Sequence, residues 1–219
     1  MKFYKKLIRV FNDLPDHTTL LIHSLVGCPM KCIGCHNYDE IIANTPKDYC
    51  TSKDIINHIE QNGFLFDAVM FSGGEFLLEG IDKISDLLLE VRSVFDGKII
   101  VNTNGMFPDK VDFLLRNSLV DGIHVDMKLP YHMLDIKEDK EIYRAIMGIT
   151  PTKQLIDNLL NTIELVIKSD TSLSQVRTVK YPLLSQEFFD ETKRYVEELK
   201  QKYNSIVPYF QNEFIDLNN

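Results

Sequence analysis

Residues 20–37 read LLIHSLVGCPMKCIGCHN and join an apolar run to a cysteine-rich loop. The apolar run, Leu20 to Val26, predicts a buried β-strand. The loop that follows holds Cys28, Cys32 and Cys35 within eight residues. Thiols clustered in this way are typical of a metal site or of redox chemistry, and not of a secreted disulfide framework. In parallel α/β folds the active site lies beyond the carboxyl ends of the strands, and this loop begins at such an end.

Apolar runs and amphipathic helices alternate along the rest of the chain. Six apolar runs predict strands: Leu20–Val26, Asp67–Phe71, Lys98–Val101, Ile123–Met127, Gln175–Val179 and Ile206–Phe210. Apolar residues at helical spacing predict helices over Thr51–Gln61, Glu79–Phe95, Thr152–Lys168 and Gln186–Tyr203, with a further helix from Pro108. The segment Tyr131–Met147 is ambiguous. This alternation predicts an α/β fold, with a parallel sheet and helices outside it. Six units are too few for an eight-stranded barrel, so we expect an open partial (β/α)6 barrel.

Length and composition indicate one folded domain. The 219 residues are enough for one domain with a full hydrophobic core and are too few for two domains of ordinary size. We expect an N-terminal extension over residues 1–18, the partial barrel over 19–211 and a C-terminal tail over 212–219. Apolar residues make up 44% and charged residues 26%, which excludes bulk disorder, collagen-like repeats and a disulfide-dense mini-protein. A formal charge of −8 argues against a nucleic acid partner.

The N-terminal residues carry no recognisable export signal. Met1 to Asp16 is broken by charges and has no small-residue cleavage site. No uninterrupted apolar run approaches the ~18 residues that a membrane-spanning helix needs. We therefore expect a cytoplasmic protein with no membrane partner, in a reducing compartment where thiolates persist.

Polar motifs follow the next three predicted strands. Phe71-Ser72-Gly73-Gly74-Glu75 ends the second strand, although a lone carboxylate is usually solvated. Asn102-Thr103-Asn104-Gly105 ends the third strand, where a plain Asn-Gly turn is the simpler interpretation. Asp126-Met127-Lys128 ends the fourth strand, and its two charged side chains share one face, so a salt bridge is the simpler interpretation. Four polar motifs at four successive strand ends nevertheless predict one functional site.

The cysteine loop by itself leaves other interpretations open. A structural zinc site could use His36 or His23 as a fourth ligand. Zinc knuckles usually arrange their cysteines in pairs two residues apart, and no second pair exists here. A chance cluster of buried cysteines is disfavoured because Pro, Lys and Gly separate the thiols. The lone Cys50 has no partner in sequence and is interpreted as structural.

The spacing C-x-x-x-C-x-x-C after the first strand resembles the signature of the radical S-adenosylmethionine (radical SAM) enzymes. The resemblance implies that Cys28, Cys32 and Cys35 are catalytic metal ligands, which hold three irons of a [4Fe-4S] cluster. It also implies that the amino and carboxylate groups of S-adenosylmethionine chelate the fourth iron. The position before the last cysteine is usually aromatic in this family, and it is Gly34 in this chain.

The other motifs are similar to those of the activating enzymes of glycyl radical enzymes. The family's Gly-Gly-Glu stretch, which binds the amino group of S-adenosylmethionine, matches Gly73-Gly74-Glu75, and Phe76 stands where a proline commonly follows. Relatives often begin the third motif with an Asp that helps to coordinate a monovalent cation, whereas this chain has Asn102. The resemblance implies cofactor-binding roles for the following residues: Gly34, His36, Gly73, Gly74, Glu75, Thr103, Asn104, Asp126 and Lys128.

Two stretches, Asp121–Pro130 and Gln175–Leu184, look most like the activases of anaerobic ribonucleoside-triphosphate reductase. The resemblance implies an anaerobic oxidoreductase that cleaves S-adenosylmethionine reductively and generates a glycyl radical on that partner. A flavodoxin- or ferredoxin-type protein would donate the electron. Three alternatives stay open at this point. They are an activase of pyruvate formate-lyase or another glycyl radical enzyme, a small-molecule radical SAM enzyme similar to 7-carboxy-7-deazaguanine synthase, and a non-catalytic zinc-binding module.

Overall fold

The computed structural model describes residues 1–216, so the predicted tail over 212–219 lies partly outside the described residues. The described residues form nine strands and six α-helices. The strands are β1 (Lys2–Phe3), β2 (Ile8–Val10), β3 (Thr19–Ser24), β4 (Cys50–Thr51), β5 (Ala68–Gly73), β6 (Lys98–Thr103), β7 (Gly122–Asp126), β8 (Gln175–Lys180) and β9 (Tyr209–Glu213). The helices are α1 (Ser52–Asn62), α2 (Ile81–Val94), α3 (Pro108–Arg116), α4 (Lys140–Met147), α5 (Lys153–Lys168) and α6 (Gln186–Tyr203).

The chain is divided into two compact units that interleave in sequence. The first unit comprises Met1–Cys28, Asn37–Thr103 and Asp112–Ile123. The second unit comprises Pro29–His36, Asn104–Val111 and the chain from His124 onward. The expectation of a single domain with an N-terminal extension stays a prediction.

The first unit is built on a mixed sheet. Its strands follow the order β4-β1-β3-β5-β6, in which β3, β5 and β6 are parallel. β1, β2 and β4 pair antiparallel, which the sequence does not predict. The central strands are near-continuous apolar runs, as expected of parallel strands that are covered on both faces. Val69, Met70 and Phe71 of β5 are fully buried and form the middle of this core.

Helix α1 begins with a capping box at Thr51 and Asp54. The Thr51 side chain accepts a hydrogen bond from Asp54 N at 3.3 Å, and the Asp54 carboxylate accepts one from Thr51 N at 2.7 Å. This capping box satisfies two backbone donors that the first turn of a helix leaves without partners. Ile55 and Ile59 then bury one face of the helix.

The second unit contains the parallel strands β8 and β9 and the second half of β7. Helix α5 buries Ile163, Val166 and Ile167 on one face, as its spacing predicts. The predicted strand Ile206–Phe210 begins only at Tyr209, because Pro208 has no N–H to donate to a sheet. The ambiguous segment 131–147 ends in helix α4. Within residues 1–216, no helix has both the length and the apolar character to cross a bilayer.

Candidate functional site

The loop after β3 approaches the Gly-Gly-Glu motif within the first unit. Gly27 has a φ of +85°, which L side chains rarely adopt, and Glu75 N donates to its carbonyl oxygen at 2.7 Å. A Cβ on Gly74 would overlap the carbonyl group of Gly27. The two backbones are therefore packed as closely as glycine allows. Cys28 follows directly from this contact and is half-buried.

Glu75 joins the second and third motifs. Its side chain is only 1% exposed, and its Oε1 accepts hydrogen bonds from Leu77 N at 3.1 Å and from Thr103 Oγ1 at 2.9 Å. Asn37, from the end of the cysteine loop, donates to the carbonyl oxygen of Gly73 at 2.8 Å. The first unit thus brings together a buried carboxylate, a hydroxyl and a glycine cradle at the ends of β5 and β6.

In the second unit, the cysteine loop caps the end of helix α4. Lys31 N donates to Met147 O at 3.0 Å, and Ile33 N donates to Ile146 O at 3.1 Å. These bonds satisfy two carbonyl groups that the last turn of a helix leaves without partners. Gly148 ends the helix with a φ of +69°, and a Cβ there would lie 2.6 Å from the Cβ of Lys31. The helix end therefore holds the loop that carries the second and third cysteines.

Cys32 lies against this helix end. Its Sγ is 4.0 Å from the carbonyl oxygen of Met147 and 4.0 Å from the Sδ of Met30. Burial raises the pKa of the Cys32 thiol, and the Lys128 ammonium offsets part of that rise. Cys32 is thus in electrostatic range of the Asp126-Met127-Lys128 motif.

Asp126 and Lys128 form a charge cluster with a third residue, Arg177 of β8. Lys128 Nζ lies 2.8 Å from Asp126 Oδ2, and Arg177 lies 3.3 Å from Asp126 Oδ1. Burial alone would lower the pKa of Lys128, but the Asp126 carboxylate raises it well above its usual value. Burial alone would raise the pKa of Asp126, but Lys128 and Arg177 hold it below its usual value. Asp126 and Lys128 are therefore both charged at neutral pH.

We expect Lys128→Met to destabilise the protein by about 2 kcal/mol at pH 7. The Lys128 side chain is 11% exposed and that of Asp126 is 35% exposed. Removing the ammonium therefore leaves a partly buried carboxylate less well compensated, although Arg177 still pairs with it. Because its pKa is lowered on folding, Asp126 contributes stability above the usual carboxyl pKa of about 4 and loses it below. The destabilisation should therefore shrink as the pH falls below about 4. Chemical denaturation at pH 7 and at pH 3 measures both effects.

The control for this prediction is Lys153→Met. Lys153 lies 2.8 Å from Asp157, but its side chain is 82% exposed, whereas that of Lys128 is 11% exposed. An exposed pair contributes at most about 1 kcal/mol. Equal losses of stability in the two variants would contradict the role given to the buried pair.

The remaining predicted site residues are Asn104, Gly34 and His36. Asn104 is buried in the second unit, where its Oδ1 accepts a hydrogen bond from Met106 N at 3.0 Å. Gly34 and His36 are exposed at the outer part of the cysteine loop. The sequence motifs do not predict Arg177 or Gly148 as site residues. The position of Arg177 in the middle of the predicted strand Gln175–Val179 is the signal that could have identified it.

The donor set of the loop suits an iron–sulfur cluster. Within residues 1–216, no three His, Cys, Asp or Glu side chains are arranged to hold a metal ion. In a [4Fe-4S] cluster each cysteine thiolate binds an iron of its own. Thiolates are soft ligands of the kind that iron–sulfur clusters use. The glycine contacts at Gly27 and Gly74 also keep bulky side chains away from the start of the loop.

Two solved structures share the fold of this chain. A structure described as native anSMEcpe with bound AdoMet aligns with a TM-score of 0.58 and 15% identity over 87% of this chain and 50% of that one. Coproporphyrinogen III oxidase (HemN) from Escherichia coli, described as a radical SAM enzyme, aligns with a TM-score of 0.53 and 17% identity over 85% of this chain and 42% of that one. The predicted fold class, α/β with a parallel-strand sheet of radical SAM type, is confirmed.

Sequence comparison gives the family. A protein of Methanocaldococcus jannaschii, provisionally named a glycyl-radical enzyme activating enzyme, is 32% identical over 146 residues. This match covers 63% of the chain and 56% of that relative's length. The sequence model described as Radical SAM superfamily matches residues 22–199, which include all four polar motifs. The chain therefore belongs to the radical SAM superfamily.

Proposed function

We propose that this protein is a radical SAM enzyme that generates a glycyl radical on a partner enzyme. The partner that we favour is anaerobic ribonucleoside-triphosphate reductase. The observation that carries the proposal is the 32% identity to a relative named as a glycyl radical enzyme activase. Three motifs that resemble those of activases support the activase class: Cys35-His36-Asn37, Asn102-Thr103-Asn104-Gly105 and Asp126-Met127-Lys128. The stretches 121–130 and 175–184 support the choice of partner.

Membership of the superfamily implies a [4Fe-4S] cluster and S-adenosylmethionine. We assign Cys28, Cys32 and Cys35 as the thiolates that hold the cluster. When bound, the cluster supplies the electron that cleaves S-adenosylmethionine to methionine and a 5′-deoxyadenosyl radical. This chain's own residues bind and orient the cofactor and exclude water from it.

Glu75 is the residue that we assign to the amino group of S-adenosylmethionine. It is a buried carboxylate held in one orientation by Leu77 N and Thr103 Oγ1. A carboxylate accepts a stronger hydrogen bond from an ammonium group than a neutral acceptor does. Asp126 and Lys128 are assigned to other polar groups of the cofactor, because both stay charged at neutral pH.

We expect Glu75→Gln to weaken the binding of S-adenosylmethionine about 10- to 100-fold and to leave the iron content unchanged. The amide keeps the shape of the side chain but loses its charge, and a hydrogen bond to a charged group contributes about 1.5–3 kcal/mol. Anaerobic titration with S-adenosylmethionine, together with an iron assay, tests this expectation.

Glu90→Gln is the matched control, because it makes the same change at an exposed position on α2. It should bind S-adenosylmethionine like the wild-type protein. Unchanged affinity in Glu75→Gln would remove Glu75 from this role.

The partner is tested by anaerobic reconstitution with iron, sulfide, a reductant and S-adenosylmethionine. We expect a glycyl radical signal in electron paramagnetic resonance when anaerobic ribonucleoside-triphosphate reductase is added, and none when pyruvate formate-lyase is added. A signal only with pyruvate formate-lyase would show that the lyase is the partner, and the protein would still be a glycyl radical activase. Cleavage of S-adenosylmethionine with no radical on either protein would favour a small-molecule substrate. A colourless protein that retains zinc would overturn the proposal.

A further inference from the structure

A row of polar side chains crosses three parallel strands of the first unit, close to their carboxyl ends. His23 of β3 pairs with Ser72 of β5 in the register of the sheet. Phe71 pairs with Val101, so Ser72 and Asn102 of β6 are the next residues along their two strands. Residues at the same level of parallel strands point to the same face of a sheet. His23, Ser72 and Asn102 therefore form one lateral row, which we call the polar row.

Two atoms of the polar row are buried and lack a hydrogen-bond partner. His23 is only 7% exposed, and its Nδ1 meets no donor or acceptor among residues 1–216. The Oδ1 atom of Asn102 is also buried and has no partner among the same residues. Most buried polar atoms in proteins are paired, because leaving one without a partner is costly. Two such atoms in one row therefore indicate a site whose hydrogen bonds a ligand completes.

The chemistry of the polar row suits a neutral ligand that both donates and accepts hydrogen bonds. Burial lowers the pKa of His23, although the Asp13 carboxylate opposes this shift, so the imidazole is neutral at pH 7. A neutral imidazole has one donor and one acceptor nitrogen, and the amide oxygen of Asn102 accepts. The hydroxyl of Ser72 does either. A peptide group, which has one N–H and one C=O, meets these requirements.

The length of the polar row matches a short stretch of extended chain. Neighbouring strands lie about 4.8 Å apart, so the outer members of the row are about 10 Å apart. An extended chain rises about 3.3 Å per residue, so about three residues span this length. Two residues earlier, the same face of the sheet carries Leu21, Met70 and Ile100. The polar row is therefore bounded by apolar core on its inner side, and a ligand would lie across the strand ends.

The polar row adjoins the residue that we assign to S-adenosylmethionine. Thr103 follows Asn102 directly and donates a hydrogen bond to Glu75 Oε1 at 2.9 Å. A substrate has to lie beside the cofactor with which it reacts. The reacting residue of the proposed substrate is a glycine, which has no side chain. A site can therefore recognise it only through the peptide groups on either side.

We propose that His23 and Asn102 bind main-chain peptide groups of the partner segment that carries the reactive glycine. Asn102 Oδ1 accepts a hydrogen bond from a peptide N–H, and His23 binds the segment through Nδ1. Both are substrate-binding residues that hold the glycine beside the cofactor. This inference rests on the proposed function, because it requires a protein substrate.

The test uses synthetic peptides and the anaerobically reconstituted full chain with S-adenosylmethionine. The peptide contains the reactive glycine of the enzyme on which the wild-type protein forms the radical. Three further peptides are N-methylated, one at the glycine and one at each neighbouring residue. We expect the wild-type protein to bind at least one methylated peptide about 2- to 12-fold more weakly, which is the usual range for one hydrogen bond. Asn102→Ala should bind the unmodified peptide more weakly by a similar factor and should no longer discriminate against that methylated peptide.

His23 is tested by a pair of variants. His23→Leu should raise the KM for the unmodified peptide about 2- to 12-fold. His23→Asn keeps polar atoms at the δ position and should restore most of the affinity. The iron content and the cleavage of S-adenosylmethionine without peptide should stay at wild-type levels in both variants. His58→Leu is the matched control, because it makes the same change on helix α1, and it should behave like the wild-type protein.

Unchanged peptide affinity in both His23→Leu and Asn102→Ala would overturn the inference. An equal loss of iron and of peptide-free cleavage would overturn it too, because that pattern indicates a structural role. So would a wild-type protein that forms the radical on the intact enzyme but does not bind the peptide. Failure of the proposed function has a different signature, since the wild-type protein would then form no glycyl radical on either enzyme, and both proposals would fall.

Discussion

Cys32→Ala should abolish reductive cleavage of S-adenosylmethionine, with a loss of more than about 100-fold. Changes to groups that merely support metal ligands already cost about 10- to 100-fold in affinity or activity. Removal of a ligand itself leaves one iron without its thiolate. Cys28→Ala and Cys35→Ala should behave in the same way. Iron per chain, the visible absorbance of the reconstituted protein and the yield of 5′-deoxyadenosine measure the effect.

Cys50→Ala is the control for the three cysteine variants. Cys50 lies in the short strand β4, pairs with Phe3 and is half-buried. Its variant should keep iron and activity, because it lies outside the cysteine loop. Full turnover in Cys28→Ala, Cys32→Ala or Cys35→Ala would refute the assignment of that cysteine to the cluster.

Gly148→Ala should destabilise the protein by about 3 kcal/mol and lower the iron content after reconstitution. The left-handed conformation costs an alanine about 1–2 kcal/mol, and overpacking costs about 1–3 kcal/mol more. The new Cβ would overlap the carbonyl oxygen of Lys31 and lie 2.7 Å from its carbonyl carbon. Because this is backbone, the cysteine loop must move away from helix α4. Thermal unfolding and an iron assay measure the two effects.

Gly80→Ala is the matched control for Gly148→Ala. Gly80 precedes helix α2 with a φ of −61°, and a Cβ there would meet nothing within 4 Å. Gly80 is the N-cap of α2, where alanine is less favourable than glycine, so this variant should cost at most about 1 kcal/mol. A Gly148→Ala protein as stable and as iron-rich as Gly80→Ala would show that the loop does not depend on the end of α4.

The periodicity of the sequence predicts most of the long elements. The predicted helix Gln186–Tyr203 has the observed bounds of α6, and α1, Ser52–Asn62, is shifted by one residue from the predicted Thr51–Gln61. The strands β1 and β2 are not predicted, because two or three residues are too few to show a period. Ile206 is apolar and suggests a strand, but it is exposed, and the sheet begins only after Pro208.

The site is predictable where its chemistry lies in contiguous residues. The spacing of the cysteines, the Gly-Gly-Glu stretch and the Asp-x-Lys pair can each be recognised within one short segment. The contacts of Gly148 and Arg177 join residues that are distant in sequence, so a local motif does not show which groups they meet. These contacts required the folded structure.

The docking of the cysteine loop on helix α4 has a consequence for biosynthesis. Cys32 and Met147 are 115 residues apart, so the ribosome makes the loop long before the helix end that supports it. A nascent chain that stops short of Gly148 exposes the thiols without their native backbone. The bonds from Lys31 N and Ile33 N can form only after residues 146 and 147 have been made, so we expect the loop to take up iron after translation.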